Sequence, residues 1–123
     1  MTKSSKKSYD LEDRTAKFGE DIIELCKKIP NNDINSPLVR QIVKSGTSVG
    51  ANYLEANGAS SKKDFRNKIF ICKKESQETR HWLRILAKSC DDEIYSVEFR
   101  RLWQEAKELS MIFHKIVSTI DKK

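Results

Sequence analysis

Four stretches of this chain repeat apolar or small residues at alternating steps of three and four, and that spacing leaves little choice of fold. A helix of 3.6 residues per turn gathers such positions onto one stripe, whereas a strand needs alternation at every second residue. The first stretch runs Leu11, Thr15, Phe18, Ile22, Leu25, Ile29; the second Val39, Ile42, Gly46, Val49, Tyr53, Ala56. The third runs Phe65, Ile69, Cys72, Ser76, Thr79, Leu83, Leu86, Cys90; the fourth Phe99, Leu102, Ala106, Leu109, Phe113, Ile116, Ile120.

Breakers separate the four. Pro30-Asn31-Asn32 ends the first, and Ser36-Pro37 opens the second with an N-cap residue and a proline at the first helical position. Gly58-Ala59-Ser60-Ser61 divides the second from the third, where Ser61-x-x-Asp64 reads as a capping box, and Asp91-Asp92 followed by Ser96 precedes the fourth. Short connections between amphipathic helices predict an all-α, antiparallel up-down-up-down four-helix bundle over residues 10–123, preceded by a disordered basic tail at 1–9. With four Gly and two Pro in 123 residues, the composition agrees with long helices in one domain.

No stretch reaches the roughly 18 uninterrupted apolar residues of a membrane span. Lys3, Lys6 and Lys7 near the N-terminus are followed by no apolar run, so a secretory signal is not expected. Cys26, Cys72 and Cys90 are odd in number and widely spaced, which argues against a disulfide framework and a zinc site. They fall in phase with apolar neighbours, as buried small hydrophobes do, and the chain is expected in a reducing cytoplasm.

The net charge of +6 is concentrated on the third segment. From Lys62 to Cys90 there are nine basic residues and three acids, while the rest of the chain holds fifteen of each sign. At about 100° per residue, Lys62, Arg66, Lys73, Arg80 and Arg84 share one narrow sector. Clustered cations of this kind displace condensed counterions from a polyanion, and a solvated face is the plain alternative. Phe70 falls among these cations, near Lys63 and Lys74, where an exposed ring could stack on a base or fill a subunit interface. Ile71, Glu75, Glu78, Trp82 and Ile85 form a second stripe, making the apolar arc wider than one seam requires.

The middle of the second segment, Ser45-Gly46-Thr47-Ser48-Val49-Gly50-Ala51-Asn52, is built of small residues. Each interior glycine costs about 1 kcal/mol of helix propensity, so close packing is expected to compensate. Ser48, Asn52 and Glu55 are expected to join Glu75, Ser76 and Glu78 in a buried hydrogen-bonded network rather than a catalytic site.

Ser48-Val49-x-x-Asn52-x-x-Glu55, followed by Lys74-Glu75-Ser76-Gln77-Glu78-Thr79-Arg80-His81-Trp82-Leu83, resembles the ribosomal-protein-like four-helix bundles encoded in intervening sequences of bacterial 23S ribosomal RNA genes. The resemblance runs from about Leu11 to Ile120. It implies a ring-shaped homopentamer, with Phe70 or Trp82 near subunit contacts. The similarity of that family to accessory proteins of diversity-generating retroelements points to RNA or other nucleic acid as a partner. Ala56 departs from the pattern, since many members carry glycine after the glutamate.

Enzymatic readings are weaker. Glu78-x-x-His81 has the spacing of a di-iron bundle, but His114 has Met111 three residues before it, leaving that constellation incomplete. A helical ribonuclease would place arginine some five to seven residues before its histidine, where this chain has Lys74-Glu75-Ser76 and Lys107-Glu108-Leu109. There is no glycine-rich phosphate loop and no nucleophile elbow. No catalytic residue, metal, cofactor, small-molecule substrate or membrane partner is expected. The sequence leaves a non-enzymatic nucleic-acid-associated oligomer, with the cationic sector as its contact, and a structural protein–protein interaction scaffold without a nucleic-acid role.

Overall fold

The computed structural model describes residues 6–122 as four helices: α1 Lys6–Lys28, α2 Asn35–Asn57, α3 Lys62–Ser89 and α4 Glu93–Asp121. Most of the tail expected over residues 1–9 lies outside the described residues, and α1 as described begins at Lys6. Among the described residues there is no strand, and no helix is long and apolar enough to cross a membrane.

Helix boundaries follow local hydrogen bonding. Ser61 accepts the Asp64 N–H at 3.0 Å, and Asp92 accepts the Ile94 N–H at 3.2 Å, so α3 and α4 each begin on a side-chain cap. The expected Ser36 cap is not used. Asn32 Oδ1 instead accepts from the backbone N–H groups of Ile34 and Asn35, which lets α2 start at Asn35 and leaves Pro37 inside the first turn, where its missing N–H is harmless. Asn35 is itself buried, donating to the Pro30 carbonyl and accepting from Ser89 Oγ at 2.6 Å.

Neighbouring helices run antiparallel. From α2 to α3, Lys68 meets Glu55, Thr79 meets Ser45 and Ser89 meets Asn35; from α3 to α4, Arg66 meets Asp121 and Arg80 meets Trp103. Partner numbers fall as α3 numbers rise. The same holds between α1 and α4, where Arg14 binds Glu105 and Arg101 binds Asp21.

The core is the predicted seam. Phe18, Ile22 and Leu25 of α1, Ile42 and Val49 of α2, Ile69, Cys72, Leu83 and Leu86 of α3, and Leu102, Ala106, Leu109 and Phe113 of α4 are fully buried or nearly so. Burying one such large aliphatic or aromatic side chain contributes about 1.5–3 kcal/mol. Leu11, Val39 and Phe65, the first seam position of α1, α2 and α3, are half-buried, and near the end of α4 Val117 is buried while Ile116 and Ile120 are half-buried. A strict 3,4 pattern drifts by about 20° per heptad against a straight helix, so over a long helix the inward face moves to the next residue.

α1 meets α2 and α4 by different means. Against α2 the approach is close: a methyl at Gly46 would lie 3.0 Å from Ile22 Cγ1, and one at Gly50 would lie 3.3 Å from the Thr15 carbonyl oxygen. The small-residue centre of α2 is thus the surface on which α1 rests. Against α4 ion pairs bridge the helices outside the shared core, with Arg14 Nε and Nη2 on the Glu105 carboxylate at 2.6 and 2.8 Å and Nη2 also on Glu108 at 2.8 Å. These carboxylates raise the pKa of Arg14.

Candidate nucleic-acid interface

The five cations predicted to share a sector of α3 do line the side that faces α4, but they are not equivalent. Lys62 and Arg84 are exposed and form no ion pair among the described residues. Arg66 is neutralised: its Nε and Nη2 bind both carboxylate oxygens of Asp121 at 2.8 and 2.9 Å, which raises the Arg66 pKa and lowers that of Asp121. Lys68, outside the sector, is likewise paired with Glu55 at 2.7 Å. Lys73 and Arg80 are half-buried and lie over aromatic rings, Lys73 at 5.5 Å from the Phe70 centroid and Arg80 at 5.2 Å from that of Trp103.

Phe70, 37% exposed, takes its cations from Arg66 and Lys73, not from Lys63 and Lys74 as expected. Lys63 stands two full turns before the ring, roughly 10 Å along the axis, whereas Arg66 and Lys73 are one turn away on either side and lie over it. Trp82 is half-buried; its Nε1–H donates to Glu78 at 3.3 Å, and its ring meets the edge of His81 at 5.0 Å.

α4 adds cations that the sequence reading missed. Arg100, Trp103 and Lys107 stand three and four residues apart, hence on one face, and Lys107 Nζ lies 5.7 Å from the Trp103 centroid. Neither Arg100 nor Lys107 forms an ion pair among the described residues. The signal was in the spacing, but α4 as a whole is close to neutral, so nothing marked that face until α3 was known to lie beside it. Together Lys73, Arg80, Arg84, Arg100 and Lys107 give two helices a common positive edge without internal neutralisation. Between them a cavity of about 410 Å³ opens, with buried Leu83 and Phe99 at its base, half-buried Ala87 and Trp103 at its sides, and exposed Arg84 and Arg100 at its rim.

The polar network expected from Ser48, Asn52, Glu55, Glu75, Ser76 and Glu78 does not form. Ser48 Oγ donates to the Lys44 carbonyl, Asn52 Nδ2 to the Ser48 carbonyl and Ser76 Oγ to the Cys72 carbonyl, each within its own helix. Glu55 and Glu78 are exposed, and no side-chain hydrogen bond joins the α2 members to the α3 members. Charged termini on long stems reach solvent from the helix edge, so at this level of the α2–α3 seam the short hydroxyls take the interior. Glu75 is half-buried; burial and the neighbouring Glu78 carboxylate raise its pKa.

The buried polar contact lies elsewhere, between Thr79 and Ser45. Thr79 Oγ1 is 2.8 Å from Ser45 Oγ and 2.7 Å from the Glu75 carbonyl, and Ser45 Oγ is 3.0 Å from the Gln41 carbonyl. Whichever hydroxyl donates to the other, both are satisfied.

The thiols of Cys72 and Cys90 are buried and that of Cys26 is half-buried; all three are free. Burial pushes the Cys26 pKa up to about 11 and that of Cys72 up to about 12, so neither thiol is primed as a nucleophile. No group of three or more His, Cys, Asp or Glu residues stands close enough to hold a metal ion among the described residues.

Residues 7–115 match the profile of the family described as 23S rRNA-intervening sequence protein. Among solved structures, the chain is similar to the crystal structure of a protein of unknown function from the S23 ribosomal protein family of Bacteroides thetaiotaomicron. The two are 32% identical with a TM-score of 0.77, over 87% of this chain and 97% of that one. Among curated proteins nothing matches.

Proposed function

We propose that this chain, which belongs to the family of 23S rRNA-intervening sequence proteins, is a non-enzymatic RNA-associated protein that contacts phosphates through its α3–α4 edge. The observation that carries this reading is the set Lys73, Arg80, Arg84, Arg100 and Lys107, gathered from two helices and left without ion-pair partners. Arg14, Arg66, Lys68 and Arg101 are paired across helices; what sets these five apart is that two neighbouring helices bring them to one edge. Unpaired cations repel one another, and a polyanion relieves that repulsion while releasing its own counterions. The ribosomal names of the family and of the similar structure support RNA as that polyanion.

The assembly proposed is a ring-shaped homopentamer in the cytoplasm, with Phe70 and Trp82 near subunit contacts. A ring repeats the positive edge in each subunit, so individually weak phosphate contacts combine when one RNA spans several of them. Binding through phosphates is sequence-tolerant, because base edges carry the sequence and phosphates do not.

The test is the triple variant Lys73→Glu/Arg80→Glu/Arg84→Glu, with light scattering to check that the oligomer is intact. Loss of RNA retention at low salt supports the reading. Unchanged affinity and salt slope favour the interaction-scaffold alternative, and a monomer mass at tens of micromolar removes the ring.

A further inference from the structure

We propose that the cavity between α3 and α4 is a nucleobase pocket, so that the RNA recognised at this edge is single-stranded. The inference rests on the phosphate-contact reading above and adds the form of the strand. A purely electrostatic surface needs no apolar recess. Here buried Leu83 and Phe99 and the flank of Trp103 line a cavity of about 410 Å³ at the end of the cationic edge nearest the α3–α4 connection. That volume falls within the roughly 300–1,000 Å³ of small-ligand sites. A duplex keeps its apolar base faces stacked inside and has nothing to place there. A single strand can turn a base outward, and an indole is the side chain that best receives one.

The charges around the cavity fit a base with a phosphate on either side. Arg84 and Arg100 line it, while Arg80 and Lys107 lie 5.2 and 5.7 Å from the Trp103 centroid. Both of these cations lie over the indole, so a base stacking on Trp103 takes the place of one of them on the ring and leaves that cation free to meet the adjoining phosphate. Asp91 and Ser96 also line the cavity. The Asp91 carboxylate repels phosphate but accepts hydrogen bonds, and so suits the exocyclic amino group of a base or a ribose 2′-hydroxyl.

The experiment measures binding of the full chain to a labelled oligoribonucleotide of about a dozen residues, and to the same strand annealed to its complement. The inference expects the wild-type protein to prefer the single strand. Trp103→Leu keeps apolar bulk but loses the stacking face. It should weaken single-strand binding by roughly tenfold or more, the effect of losing one base–aromatic stack, while duplex binding stays within about twofold. Trp103→Phe should restore most of the preference, and Ala87→Leu, which fills the cavity with Trp103 in place, should reproduce the loss. Equal weakening on both RNAs, or no weakening, overturns the pocket and leaves phosphate contact standing. A changed oligomer mass in Trp103→Leu and Ala87→Leu also overturns it, by making the groove a subunit contact. If the wild-type protein binds neither RNA at low salt, the phosphate-contact reading itself fails.

Discussion

Gly19→Ala and Gly46→Ala are the same chemical change on facing helices, and the structure assigns them opposite signs. Replacing an interior helical glycine by alanine gains about 1 kcal/mol, chiefly by restricting the unfolded backbone. At Gly19 the new methyl would lie 3.6 Å from Thr47 Cα, 3.7 Å from the Gly46 carbonyl oxygen and 3.8 Å from Thr47 Cγ2, all ordinary contacts. The gain is retained there, and Gly19→Ala should stabilise the protein by about 0.5–1 kcal/mol. At Gly46 the methyl would lie 3.0, 3.2 and 3.4 Å from Cγ1, Cγ2 and Cβ of Ile22. Ile22 is fully buried and β-branched, so it has neither room nor a second favourable rotamer in which to yield. Overpacking of this kind costs about 1–3 kcal/mol, which exceeds the propensity gain and leaves Gly46→Ala less stable than wild type by up to about 2 kcal/mol. The variants should differ by about 2 kcal/mol, or roughly 8 °C in melting temperature for a domain of this size. Thermal unfolding followed by circular dichroism, at one protein concentration so that assembly is held constant, measures the difference. A Gly46→Ala protein melting as high as Gly19→Ala would refute the claim that α1 and α2 touch through this glycine.

Thr79→Val should lower stability by about 1–2 kcal/mol in urea unfolding, because it leaves Ser45 with a poorer set of partners inside the core. Asn52→Ala and Glu55→Ala should leave the melting temperature close to wild type, since their side chains bond within one helix or at the surface. The Arg66–Asp121 pair should stabilise above the ordinary carboxylate range and cease to do so in acid. Arg66 depresses the folded-state pKa of Asp121, so the contribution is present above the unfolded pKa and is lost as pH falls through the folded one. A melting-temperature gap between wild type and Asp121→Asn should therefore close on acidification; a gap that widens contradicts the pairing. In salt titrations of RNA binding, Arg84→Gln should flatten the log–log slope by roughly 0.7 for one lost phosphate contact on a single strand. Arg66→Gln should change that slope less, because Asp121 already neutralises Arg66.

The four-helix bundle was legible because its determinants are local. A 3,4 repeat names the buried face of a helix without knowledge of its partner, and the residues Phe18, Ile42, Leu83 and Leu109 read from that repeat are the ones the core encloses. The Ser61 cap was legible for the same reason, since a side chain bonds an N–H three residues away. The cap at Asn32 shows where local reading ends: Ser36-Pro37 offered an equally good start, and the choice was made by Asn35, whose side chain is held by Pro30 and by Ser89 of α3. Charge at the candidate interface divides in the same way. That α3 is cationic is a count along the chain; that Arg66 is neutralised by a residue 55 positions away is not. Glu55 and Glu75 shared helix faces that suggested a buried network, yet the edge of each helix that reaches water depends on how its neighbours are set around it. Which face of each helix turns inward could be read from the chain, because periodicity is a property of one helix. Which cations remain unpaired, and that Arg80 and Lys107 both lie over Trp103, are properties of the register between helices and emerge only when the four are packed.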